Sequence, residues 1–235
     1  MRRIERSAER GKSELGWLSS RFSYSFSEYL NPKRMNFGAL RVFNNDTVKS
    51  MSGFPMHHHE QMEIVTIMLG GIITHEDSMG NKAELRKDEV QVMTAGTGIN
   101  HSEWNNDPAV PANLLQVWVY PKERALLPRY EQHRFDPLGR VDRFQLLVSG
   151  IKKEEALFIH QDSTFSRASL EQDKLVNYAL SNRENGIFLY VISGTVTVGA
   201  DMLNAGDSIE ITGEVTLPIT AKEKSDVLVI EAPLD

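Results

Sequence analysis

The sequence predicts an all-β protein made of two barrels in tandem. Short runs rich in β-branched and aromatic residues recur between turn residues about every 8 to 12 positions, which is typical of sandwiches and barrels. Helical periodicity is scarce. The first half contains GALRVF, MEIVTIML, GIITHED, EVQVMT and NLLQVWVY, and the second contains FQLLVSG, ALFIHQD, GIFLYVI, GTVTVG, DSIEIT and DVLVIEA.

An internal repeat gives the domain organisation. The segment ENGIFLYVISGTVTVGADMLNAGDSIEIT aligns with EQMEIVTIMLGGIITHEDSMGNKAELRKDEVQVMT, so that Gly194 matches Gly71 and Asp207 matches Asp88. Both copies have the pattern of a strand, a glycine turn, a hairpin and an aspartate-containing turn. We therefore predict two related barrels, residues 1–136 and residues 137–235, joined near residues 136–142.

Composition limits the function. With 26 Lys and Arg against 32 Asp and Glu, the net charge of −6 gives no general attraction to phosphate backbones or anionic membranes. The absence of cysteine excludes disulfides, thiolate metal sites and a cysteine nucleophile. No apolar run approaches the roughly 18 residues of a membrane span, and the start lacks a signal peptide. We expect a cytoplasmic protein without nucleic-acid or membrane partners.

A histidine cluster, MHHHEQME, enters an apparent buried strand. Because side chains alternate along a strand, His57 and His59 share one face, and Glu63 joins them if the extended conformation continues. Two neutral imidazoles at this spacing can converge on a transition metal. An isolated histidine cluster is, however, more typical of a solvent-facing strand entrance.

A second cluster favours the metal. In AGTGINHSEWN, a glycine-rich turn leads into His101 and Glu103, which have the same spacing. Together with His57 and His59 they offer three nitrogens and one carboxylate oxygen. This set leaves one or two positions open on a five- or six-coordinate ion, as catalysis or sensing requires and a structural site does not.

These segments resemble the cupin pattern. The H-x-H pair is followed at the expected spacings by Glu63, Gly70, Gly98, His101 and Asn105. The sequence departs from the pattern at Met51 and Gly96, where a glycine and a proline are expected. A narrower resemblance, over about residues 20 to 135, is to the pirin family of two-domain cupins: GALRVFNND, GFPMHHHEQMEIVTIMLGG, THEDSMGN, VQVMTAGTGINHSEWN and PRYEQHRF.

The pirin resemblance implies one divalent metal in the N-terminal barrel. We expect Fe(II), with Ni, Cu, Zn or Mn as alternatives, held by His57, His59, His101 and Glu103. Many other cupins instead take the fourth ligand from the position of Glu63. We prefer Glu103, because the pirin-like H-S-E triplet includes it and because it lies two residues from His101, on the same face of the predicted strand. Glu63 is then expected to act in acid/base chemistry or to be structural.

The resemblance also implies an activity, since some bacterial pirin-like proteins are similar to flavonol 2,3-dioxygenases. A small aromatic substrate such as quercetin would then lose its 3-hydroxyl proton to Glu103 or Glu63, react with dioxygen and undergo ring opening. The alternative is a metal- or redox-sensing regulator with a protein partner, because eukaryotic pirins act as redox-sensitive cofactors of transcription factors. A cupin isomerase or sugar-binding module is a third hypothesis.

The remaining histidines receive no functional role. Where the overlay of the two copies calls for ligands, the second copy offers Gly186 and Ile187, and its one histidine is His160. We therefore predict one metal per chain and a structural second barrel. His75 stands alone beside a turn and is expected to face solvent. His133 is assigned no role.

Overall fold

The predicted apolar runs form two barrels, each built from one seven-stranded and one four-stranded sheet. The computed structural model describes residues 1–153 and 155–234. All strand pairs are antiparallel except one short parallel pair in the second barrel. The prediction of an all-β protein with two tandem barrels is confirmed.

The first barrel holds the following strands: β2 Gly11–Glu14, β3 Leu18–Phe22, β4 Leu40–Val48, β5 Ser52–His59, β6 Glu63–Gly70, β7 Ile72–Asp77, β8 Lys82–Arg86, β9 Glu89–Thr94, β10 Ile99–Asn105, β11 Ala112–Val119 and β12 Arg129–Arg134. Its larger sheet has the order β12-β9-β6-β11-β4-β3-β2, and its smaller sheet has the order β5-β10-β7-β8.

The second barrel is formed by an N-terminal strand and ten later strands: β1 Arg2–Glu5, β13 Gln145–Ser149, β14 Leu157–Phe158, β15 Thr164–Leu170, β16 Leu175–Ala179, β17 Gly186–Ser193, β18 Thr195–Val198, β19 Asp201–Asn204, β20 Ser208–Ile211, β21 Thr216–Ala221 and β22 Ser225–Ala232. Its sheets have the orders β1-β20-β17-β22-β15-β13-β14 and β16-β21-β18-β19. This order repeats that of the first barrel, although β13 and β14 are parallel where β3 and β2 are antiparallel.

The connection between the barrels contains a short 3-10 helix, Pro137–Arg140, whose start is capped by the Asp136 side chain. The predicted division after residue 136 falls here. One segment departs from that division: β1 pairs with β20, and Arg2 forms ion pairs with Asp201 and Glu214, both at 2.7 Å. The first strand of the chain therefore completes the sheet of the second barrel.

The two large sheets pack against each other through their outer faces. Alternate residues such as Val65 and Ile67 of β6 enter a core shared with the second barrel. At its centre, the ring of Phe43 lies 4.7 Å from that of Phe188 and 4.8 Å from that of Tyr190, centroid to centroid. Because each large sheet is buried on both faces, its central strands are almost continuously apolar.

The interior of the second barrel is filled by side chains. Its counterpart of the histidine-bearing strand β5 is β16, where Val176 and Tyr178 point inward, and its counterpart of β10 is β21, where Leu217 and Ile219 do so. Gly186 and Ile187, the residues predicted to stand in place of ligands, begin β17, which is the counterpart of β6. The positions equivalent to the histidines lie on β16 and β21 instead. The apolar filling nevertheless leaves no ligand on these inward positions.

Across the two described ranges, no helix is long and apolar enough to cross a bilayer.

The shared core gives a first prediction. Replacing Phe43, which is fully buried, with Ala should lower the free energy of unfolding by about 3–5 kcal/mol, because the cavity opens between two sheets that hold each other in place. Urea denaturation would measure the loss. Leu127→Ala, at a side chain 82% exposed, is the matched control and should change stability by less than about 0.5 kcal/mol. A Phe43→Ala loss no larger than that of the control would contradict a shared core.

Candidate metal centre

Two adjacent strands of the small sheet carry the histidines. Strand β10 pairs with β5 so that His101 lies opposite His57 and Ile99 opposite His59. The strands approach closely beside the site: a Cβ added to Gly53 would lie 2.2 Å from the carbonyl oxygen of Glu103. Gly98, with φ of 134°, allows the turn that directs the chain into β10.

The three histidines converge. Nε2 of His57 and Nε2 of His101 are 3.1 Å apart, and ligand nitrogens of His57, His59 and His101 all lie within 4.8 Å of one another. Two imidazole nitrogens bound to one first-row ion, at about 2.0–2.1 Å each, must lie within ~4.2 Å of each other. The 3.1 Å between His57 and His101 satisfies this limit, and the third nitrogen is near enough that, at most, a small side-chain adjustment lets the three histidines share one ion.

Burial keeps His59 and His101 neutral. Burial, reinforced by the neighbouring imidazoles, lowers the pKa of His59 to about 4 and that of His101 to about 2. Near neutral pH both rings present a free lone pair, and a metal ion need not displace a proton from either.

Glu103 reaches the same interior and is held by the opposite sheet. Its carboxylate accepts hydrogen bonds from Gln91 Nε2 at 2.9 Å, Thr66 Oγ1 at 3.2 Å and Gln116 Nε2 at 2.9 Å. These three side chains stand in register on β9, β6 and β11. Burial raises the pKa of Glu103, whereas a nearby cation would favour its ionised form.

His75 does not face solvent as predicted. Its side chain is fully buried, since β7 lies beside β10 and the register puts His75 opposite Glu103. With His101 and Glu103 it forms a second group whose ligand atoms lie within 4.8 Å of one another. The prediction failed because the strand keeps pairing with β10 up to the turn, where the Ser78 amide donates to the carbonyl oxygen of Asn100, and the His75 side chain points into the barrel.

Glu63 lies apart from the histidines, and the shared face expected for it is not found. Gln61 has a φ of +50°, so the strand ends at His59 and a new one begins at Glu63 with different parity. Ile64 therefore faces the histidines, whereas Glu63 faces the second barrel. Thr94 Oγ1, on the neighbouring strand β9, donates to the Glu63 carboxylate at 3.0 Å. Burial raises the pKa of Glu63 to about 7.

A cavity of about 360 Å³ opens beside the histidines. Its lining includes aromatic and apolar side chains, among them Phe22, Phe26, Phe54, Ile64 and Trp118. It also includes polar side chains, among them Ser20, Asn44, Asp46 and Gln116. Such a mixture suits a flat, mostly apolar molecule with a few polar groups.

Sequence reasoning missed Asp46. It lies inside the barrel at 3% exposure, and Ser20 Oγ donates a hydrogen bond to it. Burial raises its pKa to about 7. The only sequence signal was its position in the run RVFNNDTV. Asn44 and Asp46 are two residues apart there and so share one face of β4. Within the described ranges, Asn44 Oδ1 and Trp118 Nε1 are buried without hydrogen-bond partners.

Two barrels in tandem, with a histidine and glutamate centre in one of them, define the class of two-domain cupins. Residues 3–119 match the family model described as Pirin, and residues 146–232 match the model described as Quercetinase C-terminal cupin domain. The chain belongs to the pirin family.

Similar proteins cover the whole chain. The quercetin 2,3-dioxygenase of Escherichia coli K12 is 37% identical over 230 residues, which are 98% of each chain. A pirin-like protein of Caulobacter vibrioides is 37% identical over 223 residues, covering 94% of this chain and 95% of the other. The solved structure of the bacterial pirin YhhW from Escherichia coli in complex with nickel(II) gives a TM-score of 0.94 at 36% identity and covers 100% of both chains.

The position of Glu63 gives a pH prediction. Because the folded protein binds this proton more tightly than the unfolded chain, stability falls as pH rises from about 5 to 8. Glu63→Gln should remove the contribution of this carboxyl group to the fall in the free energy of unfolding, which is on the order of 2–3 kcal/mol. Denaturation of both proteins at the two pH values measures it. The exposed Glu60→Gln is the control, and an equal effect of Glu63→Gln at both pH values would contradict the raised pKa.

Proposed function

We propose that the protein is a metal-dependent dioxygenase that acts on flavonols such as quercetin. The observation that supports this best is the position of the three histidines and Glu103 in the lining of a cavity that also has aromatic and polar side chains. Relatives named quercetin 2,3-dioxygenase, at 37% identity over nearly the whole chain, support the same reaction class.

One divalent metal per chain is part of the proposal, held by His57, His59, His101 and Glu103. The nickel(II) complex of the similar pirin YhhW supports a divalent ion as part of the proposal. We propose Fe(II), and keep Ni(II) as the first alternative because three histidines and a carboxylate accept several first-row ions. When bound, such an ion lowers the pKa of a hydroxyl group and assists electron transfer to dioxygen.

The chain positions the substrate and excludes water. The cavity of about 360 Å³ lies within the range of small-molecule sites, roughly 300–1,000 Å³. The rings of Phe26 and Trp118, in edge contact at 5.3 Å, offer apolar surface to a flat ring system. Trp118 Nε1 and Asn44 Oδ1, a donor and an acceptor without partners, are available to phenolic hydroxyls.

Proton transfer is assigned to carboxylates inside the barrel. Glu63, one of the two groups expected from sequence, faces away from the cavity and does not contact a substrate there. Glu103 remains a predicted ligand and proton acceptor. Asp46 is a further candidate, because it lines the cavity and a carboxylate with a pKa of about 7 is well matched to general-base work at neutral pH.

The metal and the activity can be tested together. Protein purified without a tag should carry one divalent ion per chain and consume quercetin under air but not under nitrogen. His57→Ala and His101→Ala should lose the ion and reduce turnover at least about 100-fold, while His133→Ala, an exposed histidine outside the centre, should change neither. Elemental analysis and quercetin absorbance measure both properties.

Each outcome decides between hypotheses. A stoichiometric ion without turnover of several flavonols would contradict the dioxygenase and favour the non-catalytic, metal-sensing regulator. No binding after loading with Fe, Ni, Cu and Zn would contradict both.

The role of Asp46 has its own test. Asp46→Asn should keep the bound metal and lower turnover about 100-fold or more, because a neutral amide accepts no proton from the substrate. Metal content and the pH dependence of kcat/KM measure the two effects. Ser20→Ala, which removes only the hydroxyl that donates to Asp46, should cost far less. Equal activity of Asp46→Asn and the unmodified protein would exclude Asp46 as the acceptor.

A further inference from the structure

His75 lies behind His101, on the side away from the cavity. Nδ1 of His75 is 3.5 Å from Nδ1 of His101, at the long end of hydrogen-bonding distance. Nε2 of His75 is 3.1 Å from Oδ2 of Asp77. The three side chains form a line from the metal centre to the turn that follows β7, because the register of β7 and β10 puts Asp77 opposite His101.

The far end of this line is fixed. The carboxylate of Asp77 also accepts from the backbone amides of Met79 and Asn81, at 2.9 and 3.1 Å, and from the Asn81 side chain at 2.9 Å. With this many donors, Asp77 is held as an acceptor and does not rotate. The ring of His75 is held from the side as well, because Tyr130 stacks on it at 4.4 Å between centroids.

For a neutral His75, one assignment of protons satisfies the whole line and leaves a lone pair on His101 for the metal. Asp77 accepts, so His75 carries its proton on Nε2 and presents the lone pair of Nδ1. That lone pair accepts from Nδ1–H of His101, which leaves the lone pair of His101 on Nε2. Nε2 is the nitrogen of His101 that lies 3.1 Å from Nε2 of His57.

We propose that His75 and Asp77 are positioning residues for the metal centre: through two hydrogen bonds they fix the tautomer and the ring orientation of His101. The inference rests on the proposed function, because it assumes a metal among His57, His59 and His101. Outer hydrogen bonds of this kind fix the tautomer of a ligating imidazole and raise its basicity.

A competing interpretation is a second ion between His75, His101 and Glu103, whose ligand atoms also lie close together. It would require Nδ1 of His101 to lose its proton, so that the ring served two ions at once. The relay leaves that proton in place.

Co(II) binding is the test, with the metal alone as probe. His75→Phe keeps a ring against Tyr130 but removes the acceptor for His101, and should weaken Co(II) binding about 10- to 100-fold. His75→Asn, whose side-chain oxygen can take the place of Nδ1, should recover most of the affinity. His133→Phe is the matched control and should stay within twofold. Competition with a chelator measures affinity, and thermal unfolding of metal-free protein checks the fold.

Proton NMR of the Co(II) protein separates positioning from a merely structural role. Each ligating imidazole with a hydrogen-bonded N–H should give a shifted, exchangeable signal. The His57 signal is the internal reference, because its Nδ1 lies 2.8 Å from the carbonyl oxygen of Pro55 and should persist in every variant. The His101 signal should exchange slowly in the unmodified protein and in His75→Asn, and exchange too fast to observe in His75→Phe.

Three results would overturn the relay or its basis. Affinity within twofold and an unchanged His101 signal in His75→Phe would exclude the positioning role. Two Co(II) ions per chain, reduced to one in His75→Phe, would show that His75 is itself a ligand. Failure of the unmodified protein to bind Co(II) would instead contradict the proposed function. If His75→Phe does not fold, His75→Leu replaces it in the same comparison.

Discussion

The large sheet of the first barrel is buried on both faces, and the strict alternation of side chains along its strands decides what each residue can do. Along β6, Glu63, Val65 and Ile67 face the second barrel, while Ile64 and Thr66 face the interior. A shift of one residue would exchange the two sets and turn the apolar set inward. The centre therefore depends on the register of this sheet, which is fixed from outside by the packing of the second barrel.

Inside the barrel, the same alternation aligns a row of polar side chains. Asn44, Gln116, Thr66 and Gln91 are neighbours across four adjacent strands. Three of them donate to Glu103, so the cost of burying a carboxylate is offset by charge-assisted hydrogen bonds. The fourth, Asn44, keeps an unpartnered oxygen. A buried polar atom without a partner lowers the stability of the fold by about 1–3 kcal/mol. Such atoms are typical of a surface built to meet a ligand.

The sequence was sufficient for the fold class and the repeat, and it pointed to the three histidines that the structure brings together, because each depends on local periodicity and spacing. What failed depended on backbone conformations that leave no local signal. Gln61 adopts a positive φ although it is not a glycine. The sequence therefore gives no sign that the alternation of side chains is interrupted between His59 and Glu63. The pairing of β1 with β20 joins residues about two hundred positions apart, which periodicity does not reveal. His75 is buried although a turn follows soon after it, because a residue near the end of a strand can still point into the barrel.

The two barrels have the same strand order but differ in how their interiors are filled, and this difference affects their stability. In the second, inward positions are occupied by Val176, Tyr178, Leu217 and Ile219, and the interior is packed. In the first, the equivalent strands carry His57, His59 and His101, and a cavity replaces part of the core. An open cavity and buried polar groups lower stability. The shared core around Phe43 offsets that loss from outside the site, so the well-packed barrel serves as a rigid support on which the open one keeps its geometry.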